Sequence, residues 1–140
     1  MTMTPFRFRR VSMAIAVLLI VLSMAWLFAP AAMLASWGIG FDAATGVVSR
    51  RSAALFGGLA TMFWLARNAD ASIARSALVG GFVVATLTLA ALGIFELARG
   101  QASTNILVAV LIELAFPLAL LHAVRTDARR STQPTMGLAP

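Results

Sequence analysis

Residues 76–95 read SALVGGFVVATLTLAALGIF, 20 positions without a charged side chain. At 1.5 Å of rise per residue such a helix is about 30 Å long, the thickness of a bilayer's hydrocarbon core. The whole chain agrees with that stretch. Of its 140 residues 61% are hydrophobic and 11% charged, and its mean hydropathy is +0.93. A soluble domain carries about 25% charged residues, and one this small has no interior large enough to hide so much apolar surface.

Working outward, residues 105–124 form a second apolar run of 20 residues, with Glu113 inside it and Ser103, Thr104 and Asn105 available as capping side chains. Upstream, 18 uncharged residues fill positions 11–28 and end before Pro30. Arg7, Arg9 and Arg10 ahead of them, and Ala29-Pro30-Ala31 behind, give the outline of a cleaved signal. The run exceeds the ~7–15 residues of a signal core, however, and a retained helix is expected. Residues 31–41 are apolar but broken by Gly38 and Gly40, and Trp37 and Phe41 suit a short interfacial segment.

The remaining helix is the informative one. Only 15 residues separate Arg51 from Arg67, about 22 Å of helix and too short to span. A spanning helix ending at Ala66 must begin near Val47, which takes Arg50 and Arg51 about one turn into it. The alternative is a shorter helix in a thinned bilayer with both arginines wet. The expected fold is therefore all-α, an integral membrane bundle of four helices in up-down-up-down order, at about 11–28, 47–66, 76–95 and 105–124. It occupies residues 1–128, and residues 129–140 form a disordered tail.

Arginine placement sets the expected orientation. Eight arginines (Arg7, Arg9, Arg10, Arg67, Arg75, Arg125, Arg129 and Arg130) fall on one side of such a bundle and three (Arg50, Arg51 and Arg99) on the other. The positive-inside rule puts both termini in the cytoplasm. Because the basic residues stand at the ends of apolar runs, with no basic stripe, the net charge of +6 does not indicate nucleic-acid binding. The chain has no cysteine and one histidine, His122. No nucleophile–base pair, paired catalytic carboxylates or metal-ligand spacing is visible. No enzymatic activity, cofactor or metal is expected.

Glu113 is the candidate site. A carboxylate in mid-helix costs several kcal/mol in lipid unless neutralised or paired, so it is expected to face the bundle interior. Pro117, four positions on, has no N–H and leaves the Glu113 carbonyl without its helical donor, at an expected kink. Arg51 or Arg50 lies at nearly matching depth and is the expected partner of the carboxylate; periodicity does not separate the two. Glu96 is a second acid, within reach of Arg50 or Arg99. Such a buried pair fixes helix register without doing chemistry, or marks a proton, cation or head-group site. A protonated, unpaired Glu113 is the third reading.

Small residues recur where helices pack: Ala53 and Gly57, Ala54 and Gly58, Gly80, Gly81 and Gly93. Packing within one chain is the simpler reading of these, ahead of a dimer face. Trp26, Trp37 and Trp64 stand near expected helix ends, where interfacial aromatics belong.

The run Arg51-Ser-Ala-Ala-Leu-Phe-Gly57-Gly58-Leu, the Ala91-Leu-Gly93 ending, the Gly100 loop and Ile112-Glu113-Leu114 resemble the small bacterial four-helix membrane proteins loosely grouped as DoxX-like. The likeness covers roughly residues 30–124. It departs at Glu96, where a basic residue is more usual. It implies a bacterial inner-membrane location, matches Arg51 and Glu113 to recurrent positions, and lends no activity. The expected function is an accessory or interaction module, with a small transporter or channel subunit using Glu113 as the alternative. The expected partners are the lipid bilayer and either another membrane protein or further copies of the chain.

Overall fold

A computed structural model describes residues 6–131, with side chains described from 7 to 126. Every regular element among the described residues is a helix: α1 (Phe6–Phe28), α2 (Pro30–Ser36), α3 (Ala43–Ala66), α4 (Ile73–Ala98) and α5 (Ile106–Ser131). Four helices were expected, and five are found. The addition is α2, a helix of 7 residues over the stretch read as a short interfacial segment. Pro30 opens it, because proline lacks only an N–H that the first helical turn leaves unused. Gly38, at φ +77°, turns the chain out of it.

The long helices also outrun their expected bounds. At α3 the cause is a capping box: the Thr45 N–H donates to Asp42 Oδ1 at 2.7 Å, and the Asp42 N–H donates to Thr45 Oγ1 at 2.8 Å. Two otherwise orphaned donors are satisfied, so the helix begins at Ala43 rather than near 47. The bond from the Thr45 backbone N–H first, and then one that the Thr45 hydroxyl donates to Asp42 Oδ1 at 2.8 Å, hold the Asp42 carboxyl below its ordinary value. Ser72 caps α4 by accepting from the Arg75 N–H at 3.2 Å. Gly100, at φ +70°, closes its other end, where the Gly100 and Gln101 N–H groups donate to Leu97 and Glu96. The tail expected from 129 lies, past Ser131, outside the described residues.

Among the described residues three helical segments are long and apolar enough to cross a membrane: Arg7–Phe28, Ile73–Ala98 and Ile106–Thr126. Three such helices in so apolar a chain point to a membrane protein. The 24-residue α3 matches them in length, but Arg50 and Arg51 interrupt its apolar run.

The helices are arranged in the order α3, α1, α5, α4: α1 packs against both α3 and α5, and α5 against α4. Consecutive long helices run antiparallel. Ser23, late in α1, donates its hydroxyl to the Ala53 carbonyl of α3 at 2.8 Å. Gly57, one turn on, lies against the same hydroxyl. The Ala53 and Gly57 pair thus packs within the chain, whereas Ala54 and Gly58 are exposed. Gly93 of α4 lies so close to α5 that a Cβ there would come within 2.8 Å of Val110 Cγ2.

All four long helices meet at one end only. There Phe8 and Ile15 of α1, Phe63 of α3, Phe82 of α4 and Leu120 of α5 form one cluster. The Phe63 and Phe82 rings meet edge-on at 4.8 Å. At the same end the Arg75 guanidinium, buried, lies 3.6 Å from the centre of the Phe8 ring. Toward the other end the α1–α3 pair and the α4–α5 pair part from each other, and α2 packs against α1 and α3.

Candidate functional site

The separation of the helices leaves a cavity of about 420 Å³ between them. Leu22 and Trp26 of α1, Phe56 of α3, Phe82 and Thr86 of α4 and Phe116 of α5 line it, with Met33, Ser36 and Trp37 on the α2 side. A second cavity of about 310 Å³ lies beside it, walled by Ile39, Leu92, Gly93, Gln101 and Ile106 and containing Glu96. Four residues belong to both cavities: Trp37, Leu89, Ala109 and Glu113.

Glu113 occupies this dividing wall because of where it falls on α5. The buried residues Ile106, Val110, Pro117 and Leu120 recur at helical spacing, and position 113 continues their stripe. The side chain is half-buried and faces the cavities. Among the described residues it makes no ion pair and no side-chain hydrogen bond. Helix α5 runs unbroken through Pro117, which is buried. The Glu113 carbonyl lacks a helical donor there for the chemical reason given above.

The expected partners are elsewhere. Arg50 and Arg51 are both exposed. Helix α3 buries Gly46, Ser49, Ala53, Ala60 and Phe63. Arg51 is two positions from both Ser49 and Ala53, about 200° around the helix from each. The helix order is the larger reason: α3 packs against α1 rather than α5, so matching depth does not become proximity. The Arg50 guanidinium instead turns back along α3 to lie beside Gly46, where the Phe41 ring also packs. Glu96 is half-buried, and the Arg99 guanidinium stands over the Phe95 ring at 5.4 Å rather than on a carboxylate. Of the site residues named from sequence, the structure brings Glu113 and Glu96 to one cavity, and brings no arginine to either.

Aromatic residues supply what was not foreseen. Trp26 and Trp37, near helix ends as expected, pair their rings at 5.2 Å and line the main cavity. Trp64 is exposed, with the Arg67 guanidinium 4.4 Å from its ring centre. Residues 103–105 were read as caps for α5. Ser103 Oγ and Asn105 Nδ2 donate instead to the Ser36 carbonyl, at 3.3 and 3.1 Å, and the Ser103 N–H donates to the Trp37 carbonyl at 2.7 Å. The end of α2 is thereby fastened to the α4–α5 loop beside the cavities.

Among the described residues no group of three His, Cys, Asp or Glu side chains converges, and His122 is exposed, far along α5 from Glu113. No family model, curated protein or solved structure matches this chain.

Proposed function

We propose that this chain is a non-enzymatic integral membrane protein that takes up and releases a proton or cation at Glu113, as a small transporter or channel subunit does. In this reading α1, α3, α4 and α5 cross the bilayer and α2 lies at its surface. At 24 residues, α3 reaches about 36 Å, and its two exposed arginines extend toward head groups along the helix. The arginine count puts both termini in the cytoplasm, and the resemblance to DoxX-like proteins suggests a bacterial inner membrane.

One observation carries the reading. Glu113 has no ion-pair partner among the described residues and forms a wall shared by two cavities. An ionised carboxylate at that depth is costly until something neutralises it. Glu96 and Glu113 are the only acidic or basic side chains lining the two cavities among the described residues. Glu96, near the end of α4, lines the smaller cavity together with Gln101.

The test is infrared difference spectroscopy in bilayers between acidic and alkaline buffer, with proton flux measured in liposomes. Wild type is expected to give a carboxyl band and a flux that Glu113→Gln removes. An unchanged band and unchanged flux in that variant would refute the reading.

A second reading, an accessory or interaction module, has its own support. A methyl group at Gly58, Gly80 or Gly81 would meet nothing within 4 Å. These glycines lie on α3 and α4, the two outer members of the helix row, and allow the close backbone approach by which membrane helices associate. A partner complex captured intact in mild detergent, with no proton flux, is the result this reading expects.

A further inference from the structure

We propose that the larger cavity binds an apolar organic cation, with Glu113 as its counter-ion and the rings of Trp26, Trp37, Phe56 and Phe82 as its walls. The inference rests on the reading of Glu113 as an exchanging carboxylate and names what exchanges with the proton.

The cavity's volume, about 420 Å³, is that of a small-molecule site, for which roughly 300–1,000 Å³ is usual. Its chemistry is one-sided. The Thr86 hydroxyl is committed to the Phe82 and Val83 carbonyls, the Ser36 hydroxyl to the Met33 carbonyl, and the Asn105 amide to the Ser36 carbonyl. The one charged group left among the described lining residues is the Glu113 carboxylate, in a chamber that is otherwise mainly aromatic and aliphatic.

That set discriminates among ligands. A hard metal ion takes about six or more oxygens, and no such shell converges here. An anion is repelled by Glu113. A lipid tail satisfies the walls but leaves the carboxylate without a partner. A weakly hydrated organic cation satisfies both, because its charge meets Glu113 while aromatic faces attract what remains of it. Proton and cation then compete for a single group, since the cavity cannot stabilise both positive charges at once. Among the described residues no basic side chain lines the cavity from α1, α3, α4 or α5, and the one other acid lining the adjoining cavity is Glu96.

The experiment uses the full chain in lipid nanodiscs, with tetraphenylphosphonium as a cation of fixed charge and triphenylphosphine oxide as a neutral counterpart. Quenching of tryptophan fluorescence reports occupancy, since Trp26 and Trp37 line the chamber. Saturable binding of the cation is expected, weakening as pH falls. Glu113→Gln should weaken it by about tenfold or more, while Glu113→Asp, which keeps the charge, should retain most of it. Equal binding of the neutral compound, equal binding by Glu113→Gln, or no saturable binding to wild type would overturn the inference. Melting temperatures of both variants separate lost binding from lost folding, and Glu113→Asp decides the matter if Glu113→Gln does not fold. If the Glu113 carboxyl band is present but the cation does not bind, the organic-cation inference fails alone. If the band is absent from wild type, both readings fail.

Discussion

The Asn105 side-chain amide donates to the Ser36 carbonyl at 3.1 Å, joining residues 69 positions apart. With the Ser103 contacts it fastens the last turn of α2 to the start of α5, so the short helix is held beside the cavities rather than swinging free. A helix of 7 residues is too short to persist by itself. Its place depends on these bonds and on Leu34, which packs with Trp26 and Ala53.

Asn105→Ala should therefore loosen α2 while leaving the long helices in place. One neutral hydrogen bond contributes about 1 kcal/mol, so the expected fall in melting temperature in detergent is small. Hydrogen exchange should accelerate at the Gly38 and Ile39 amides, which bond back to α2. Unchanged exchange there would mean that the tether does not hold the helix.

Gly93→Ala tests the α4–α5 contact. The new methyl would stand 2.8 Å from Val110 Cγ2, and valine in a helix has little rotamer freedom with which to move aside. Overpacking of this kind costs about 1–3 kcal/mol. Adding Val110→Ala should restore much of the loss, and thermal melting of the single and double variants checks it.

Arg50→Ala and Arg51→Ala should each change stability in detergent by no more than about 0.5 kcal/mol, the ordinary range for exposed positions. Both side chains are exposed, and neither pairs with Glu113. A strongly destabilised arginine variant, restored by Glu113→Gln, would instead reveal a charge pair across the helices.

The Asp42 cap should make the start of α3 sensitive to acid. Hydrogen bonds from Thr45 lower the Asp42 value in the folded chain. Its contribution is therefore complete above the unfolded carboxyl value of about 4, and is lost as pH falls through the lower folded value. Amide exchange at Thr45 and Gly46 should rise over that acidic window. Asp42→Asn should keep the cap and abolish this pH dependence, and Asp42→Ala should fray the turn at every pH.

Read alone, the sequence determined the helical class, the apolar segments of membrane-crossing length, and an inward-facing Glu113. These follow from composition and from periodicity along one helix, which are local properties of the chain. The Asp42-x-x-Thr45 start of α3 is equally local, a reciprocal cap between two side chains, whereas the expected start near Val47 follows only from the length needed to reach Ala66. Tertiary structure alone decided which residues keep Glu113 company. Matching depth on two helices suggested Arg51, yet depth is one coordinate, and neighbours also depend on the order in which helices stand side by side. With α1 against both α3 and α5, Arg50 and Arg51 remain outside, and Trp26 and Trp37 line the cavity. The cavities exist because four helices converge at Phe63 and Phe82 and part beyond them, a relation among segments that no single segment encodes.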